Sequence, residues 1–462
     1  MKLFRQTPIA FAVCLLLFIS CSDNDSVVQP PVETLNPDTP NANSRIVSEG
    51  TLGDPRHVSI LRQLEADGSG GFYFCGILDS ATVVGRLDGV GQPVWLSQTA
   101  YSVRDLEVVL PTSDHLLVVG GQDVDGDRLS DVGFVSLYSE SGTRRDQLLY
   151  DSDSSQVWWN SFASLSDSTF LIVGGERTAN MVTPFITTVT LRPNGTLEKG
   201  DHKALASLPG RFFDNAVTDG AGLVAGPDIV FYALSDNGGI TPIPTISVHK
   251  VSAASGVTSA GIEWSQSIVT GPGLGTFAGP GEYLALLDQN LYITGWTDCL
   301  KNRVPTDIGY WRDGLVASVA TDGTLRWVTE VEVTMHNEQF LGMSLAADGL
   351  YASGLAAGFY ESGQAFGYGL ISKIGVDDGM VLWNMTFGNR SYRSTFQDAV
   401  IEGGMAYCVG TTRCEEKEGS FVGWFTRMDV TTPTVRVETR DPRGNGSVVV
   451  DRSASYFLDN DL

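Results

Sequence analysis

Six glycines constrain this chain more than any other feature. Each closes a short apolar run: FYFCG at 72–76, LLVVGG at 116–121, FLIVGG at 170–175, LYITG at 291–295, LYASG at 350–354 and AYCVG at 406–410. The intervals between Gly76, Gly120, Gly174, Gly295, Gly354 and Gly410 are 44, 54, 121, 59 and 56 residues. The gap of 121 holds two periods, because a weaker copy, IVFYALSDNGG from Ile229, falls inside it. After each run come a polar loop, an alternating strand, a turn and a further strand. Alternation marks half-buried strands, and Asp-Gly, Asn-Gly and Ser-Gly turns mark hairpins. Seven such units, each of ~40–60 residues, predict an all-β fold: a seven-bladed β-propeller of four-stranded antiparallel blades over residues 44–440. A β-solenoid would show a shorter and stricter period.

A ring of sheets has no free edge once its last blade is completed. Two segments compete for that place, IVSEGTLGD at 46–54 and TVRVETR at 434–440. The spacing does not choose between them. Residues 441–462 form a C-terminal tail in which SVVVD at 447–451 is a candidate extra strand. Trp95, Trp264, Trp327 and Trp383 recur at one place in their units, which points to packing between neighbouring sheets. The pairs Trp158-Trp159 and Tyr310-Trp311 break the repeat. An exposed ring there would suit a sugar or a protein partner, and packing is the plainer reading.

Composition narrows the function. Hydrophobic residues make up 42% and charged residues 18%, which excludes general disorder. With 30 Lys and Arg against 54 Asp and Glu, the formal charge of −24 argues against nucleic acid, which is bound through basic patches. The N-terminus reads as an address. Lys2 and Arg5 precede a short apolar stretch from Ile9 to Phe18, the layout of a signal peptide over residues 1–20. The stretch from Cys21 to residue 43, rich in Pro, Asn and Asp, has no strand or helix period and reads as a flexible tether.

Several of these segments resemble known families. VLWNMTFGNRSYRSTFQDAVIEGGMAYCVGTTR, with Trp383, Gly388 and Gly410, resembles the bacterial β-propeller repeats of the delta-60 and SBBP type. GVDDGMVLW resembles the tryptophan-docking repeat of quinoproteins and of the outer-membrane assembly propeller BamB. Ile19-Ser20-Cys21 resembles a bacterial lipobox, with Phe18 where Leu is usual. That resemblance implies lipidation at Cys21 and attachment to the membrane through acyl chains. Ser22 in second place implies sorting to the outer membrane. The run Cys21-Ser22-Asp23-Asn24-Asp25 resembles the surface-export signal of Bacteroidetes lipoproteins, which implies display on the extracellular face.

The sharpest local motif is Asp123-Val-Asp125-Gly-Asp127-Arg-Leu-Ser-Asp131. Four carboxylates at positions 1, 3, 5 and 9 suit a hard cation, and Ca²⁺ bound there would staple a long loop. The spacing resembles the calcium loops of FG-GAP and integrin-type propellers, with Arg128 where Gly is usual. The alternative is a solvated acidic hairpin. Cys75, Cys299, Cys408 and Cys414 show no metal-type pairing. Cys408 and Cys414 flank one loop and are candidates for a bridge, while Cys75 and Cys408 also read as buried thiols. His57, His115, His202, His249 and His336 have no metal-ligand spacing, and no nucleophile elbow or phosphate loop occurs. No catalytic residue is assigned. The expected function is a non-catalytic, membrane-anchored module that binds a protein or glycan. The alternatives are a propeller enzyme acting on glycans or a quinoprotein-like enzyme, and a periplasm-facing, BamB-like envelope assembly factor.

Overall fold

The computed structural model describes residues 46–453 apart from 54–56, 80, 100–101, 110–114, 123–131, 152–154, 179–180, 206–211, 218–228, 237–244, 254–255, 271–275, 278–283, 299–311, 334–336, 360–364, 389–393, 414–420, 432–433 and 441–446. The described residues form five four-stranded antiparallel sheets, a nine-stranded sheet that divides into two further blades joined by one bridge, and a two-stranded hairpin. Strands a to d of blade 1 are Ile60–Ala66, Phe72–Leu78, Ala81–Leu87 and Pro93–Thr99. Blade 2 is Ser102–Val109, His115–Gln122, Val132–Ser139 and Arg144–Asp151. Blade 3 is Ser155–Ser166, Thr169–Thr178, Met181–Leu191 and Leu197–Ala204. Blade 4 is Phe212–Val217, Ile229–Asp236, Ile246–Ala253 and Gly261–Ser267. In blade 5, strand a is split into Thr276–Phe277 and Leu284–Leu287, followed by Asn290–Asp298, Arg312–Ala320 and Leu325–Val331. Blade 6 is Asn337–Ala346, Gly349–Phe359, Ala365–Ile374 and Val381–Phe387. A single parallel bridge, Arg312 to Asn337, links it to blade 5.

Blade 7 takes strands a to c from Ser394–Glu402, Met405–Arg413 and Phe421–Asp429, and strand d from the other end of the described chain, Ile46–Leu52. Ser48 pairs with Arg427, Glu49 with Thr426 and Leu52 with Gly423. Trp424 Nε1 donates to Glu49 Oε2 at 3.1 Å. The rival segment, Thr434–Arg440, pairs instead with Ser447–Ser453 in a separate hairpin. The a strands touch their neighbours in order around the ring, and strand a of blade 7 touches that of blade 1. The molecule is therefore a closed β-propeller with the a strands at its centre.

Its apolar core is divided into seven wedges, one between each pair of neighbouring blades. Phe72 and Phe74 pack with Val409 and Phe425 of blade 7, while Tyr73 and Cys75, on the opposite face of the same strand, pack with Leu116 and Val118 of blade 2. The b strands are buried on both faces, which is why they read as unbroken apolar runs rather than alternating ones. Strand d has a neighbour on one edge only. In blade 1 its residues alternate exposed and half-buried along most of its length.

The repeating glycine follows from a bulge in strand a. Pairing slips by one residue between Leu61 and Gln63, Val103 and Asp105, Trp159 and Ser161, Phe212 and Asp214, Phe340 and Gly342, and Phe396 and Asp398. The slip carries a strand-a carbonyl against strand b. A β-carbon at Gly354 or Gly410 would overlap the carbonyl oxygen of Gln339 or Thr395, so no side chain fits there. Blade 4 departs from the rule, with Ser235 opposite the bulge.

Candidate functional site

The recurring tryptophans join the blades. Trp95, Trp264 and Trp327, on strand d of blades 1, 4 and 5, meet Gly142, Gly323 and Gly379 in the c–d turn of the next blade. Each also lies beside a strand-b tyrosine of its own blade, Tyr73, Tyr232 or Tyr292, with ring centroids 5.9 to 6.1 Å apart. Trp383 of blade 6 lies 5.8 Å from Tyr351, in the wedge against blade 7. These rings are packing elements, as their spacing predicts.

Blades 2, 3 and 7 have no tryptophan on strand d. Asp146 stands third in strand d of blade 2, as Trp95 and Trp327 do in theirs, and its Oδ2 accepts from the Leu197 N–H of blade 3 at 2.6 Å. Lys199 stands third in strand d of blade 3, and its Nζ lies 3.6 Å from the Tyr150 ring centroid of blade 2. His202, one turn of the pleat further on, sits between Tyr150 at 5.1 Å and Phe185 at 5.0 Å. His202 Nε2 is 3.4 Å from Glu176 Oε2 and 3.5 Å from the Tyr150 hydroxyl. Trp159 closes the floor, fully buried and stacked on Tyr150 at 5.7 Å.

Burial governs the charge state of this cluster. It lowers the His202 pKa, and Lys199 adds to that while Glu176 opposes it. Burial also lowers Lys199, against the pull of Glu176, and raises Tyr150. A neutral imidazole, an ammonium, a carboxylate and an aromatic ring thus share one half-buried seam between two blades. They offer hydrogen bonds of both polarities and an aromatic contact. They contain no nucleophile held against a base. Among the described residues no group of three or more His, Cys, Asp or Glu is placed to hold a metal ion.

The strands that flank the acidic motif belong to the same sector. The loop leaves strand b of blade 2 at Gln122 and returns at Val132, one residue from Gly133, which pairs with Tyr150. Asp123, Asp125, Asp127 and Asp131 themselves lie outside the described residues, as do Cys21, Cys299, Cys414, Tyr310 and Trp311. Cys75 and Cys408 are buried and in no disulfide. Burial pushes the Cys408 thiol up, assisted by Asp398. His249 is a different case. It is sealed inside blade 4, with its Nε2 at 2.7 Å from Ser235 Oγ and its Nδ1 at 2.7 Å from Ser265 Oγ. The cluster of Tyr150, Glu176, Lys199 and His202 has no signature in sequence spacing. The one available signal was the loss of Trp at the docking position of blades 2 and 3.

No protein-family model matches the chain, and no curated protein matches it. Among solved structures, it is similar to the WD40 domain of Neurospora crassa Pan2, with a TM-score of 0.48 and 9% identity, over 84% of this chain and 97% of that one. It is similar to Chaetomium thermophilum Sqt1, with a TM-score of 0.42 and 11% identity, over 83% and 98%. The BBS1 N-terminal region, solved in complex with ARL6, gives 0.43 and 8% over 83% and 96%. Likenesses at this level carry no functional argument. The propeller assignment rests on the ring of sheets.

Proposed function

We propose that this chain is a non-catalytic binding module, tethered to the outer membrane through a lipidated Cys21 and displayed on the cell surface as a propeller of the delta-60 type. Its ligand, a protein or a glycan, meets the seam between blades 2 and 3. The observation that supports this reading is that the seam between blades 2 and 3 has Asp146, Lys199 and a polar cluster, where the turns at Gly142, Gly323 and Gly379 meet a tryptophan and the turn at Gly91 meets Phe425. A seam that served packing alone would be expected to keep the apolar device used elsewhere in the ring. On this reading Asp123, Asp125, Asp127 and Asp131 bind Ca²⁺ and brace the loop beside the seam.

The test is a pull-down with the mature protein against envelope proteins and a glycan panel, with the Lys199→Ala/His202→Ala double variant alongside. Enrichment of a ligand that the variant loses supports the reading. Equal enrichment by both proteins, or none by either, overturns it. Protease treatment of intact cells tests display separately: cleavage without lysis is expected, and protection would favour a periplasm-facing protein.

A further inference from the structure

His202 packs the seam between blades 2 and 3 with a ring of the kind that changes its charge near neutral pH. The ring lies between Tyr150 of blade 2 and Phe185 of blade 3, with centroids 5.1 and 5.0 Å away. Its two nitrogens have different surroundings. Nε2 is 3.4 Å from Glu176 Oε2 and 3.5 Å from the Tyr150 hydroxyl. Nδ1 is buried and has no hydrogen-bond partner.

That asymmetry separates the two charge states. The neutral ring keeps its proton on Nε2, facing Glu176, and buries only a lone pair at Nδ1. In the charged ring Nδ1 becomes a buried N–H without an acceptor, which is costly. The charged ring also adds a second positive charge beside Lys199 of strand d, whose Nζ lies 3.6 Å from the Tyr150 ring centroid. Glu176 of strand b is the opposing charge. Tyr150 faces the ring from strand d of blade 2, while Phe185 and Thr187 on strand c of blade 3 do not titrate. Burial, with Lys199, outweighs Glu176, so the folded protein resists the proton. A proton that the closed seam refuses favours an open one.

We propose that His202 is a pH-operated latch on this seam: neutral, its ring holds blades 2 and 3 together between Tyr150 and Phe185, and on protonation it leaves that slot and the two d strands loosen. Tyr150, Glu176 and Lys199 keep their alignment only while the latch is closed, so the ligand is held at neutral pH and released in acid. This control of binding rests on the reading of the seam as the binding face; the latch itself does not.

The experiment is hydrogen–deuterium exchange of the full-length, ligand-free protein at pH 7 and pH 5, corrected for the intrinsic pH dependence of exchange and read by mass spectrometry. Protection of Arg144–Asp151 and Leu197–Ala204 is expected to fall about tenfold at pH 5, while Leu325–Val331 of blade 5 keeps its protection. His202→Phe keeps a ring in the slot with no proton to take up, and the fall is expected to vanish. Lys199→Met removes the like charge and is expected to move the midpoint of the fall to higher pH. Unchanged protection at the seam, an equal fall in blade 5, a fall that persists in His202→Phe, or a midpoint that Lys199→Met leaves in place or lowers would each overturn the proposal. No ligand enters this measurement, so a failed pull-down and a failed latch are separate results. A ligand from the pull-down that binds equally at both pH values would overturn the control of binding.

Discussion

Trp95 of blade 1 occupies the space that a side chain would need at Gly142 of blade 2: a β-carbon there would stand 2.5 Å from the indole. Trp95 Nε1 donates to the Glu140 carbonyl in the same turn at 2.7 Å. The same relationship joins Trp327 to Gly379, again with 2.5 Å available. Both glycines have positive φ, 79° at Gly142 and 70° at Gly379, so two effects are mixed at each. Gly195, in the corresponding turn of blade 3, separates them, having φ 79° with nothing within 4 Å of a β-carbon. Gly195→Ala is expected to cost about 1 kcal/mol from backbone strain alone. Gly379→Ala is expected to cost about 3 kcal/mol, because the indole must also move. Urea unfolding of the two variants checks this.

His249 predicts acid sensitivity in a defined range. Burial lowers its pKa from 6.5 to about 4. The unfolded chain therefore takes up a proton near pH 6.5 that the folded chain refuses until about pH 4. Stability is full above pH 6.5 and falls as the pH drops through that interval, by about 3 kcal/mol for this one group. Denaturant unfolding between pH 7 and pH 4 should show the decline, and His249→Gln should flatten it. An equal slope in both proteins would remove His249 as the cause.

Asp398 ties the centre of the ring together. It is 2% exposed and accepts the Leu64 N–H of the next blade at 2.9 Å. That N–H has no strand on its inner side to satisfy it, so Asp398→Ala leaves a buried donor unpaired and is expected to cost about 2 kcal/mol or more. Asp398→Asn keeps an acceptor oxygen and should cost less. Equal losses in thermal unfolding would assign the effect to volume rather than to the hydrogen bond.

The strands b to d were legible in the sequence because they are regular. FYFC, LLVV and FLIV lie between two neighbouring sheets and are apolar on both faces, and the turns carry their glycines. Strand a was not legible as a repeated element. The bulges at Arg62, Asn160 and Gln397 break the two-residue period that would announce a strand, and the glycine that marks them sits on strand b. Ring closure was open for a different reason: Ile46–Leu52 and Thr434–Arg440 both have strand character, and only pairing with Phe421–Asp429 distinguishes them. The cluster between blades 2 and 3 draws on positions 150, 176, 199 and 202, which register rather than spacing brings together.

The central claim is that Ile46–Leu52 closes the ring. Ser48 and Arg427 are paired across the last two strands of blade 7 although 379 positions separate them in the chain. Ser48→Cys with Arg427→Cys, oxidised in the folded protein and mapped by mass spectrometry, is expected to give one intramolecular disulfide in a monomer. A pair that stays reduced, or that links only between molecules, while a second pair joining Arg427→Cys to a cysteine in Thr434–Arg440 forms instead, would contradict it.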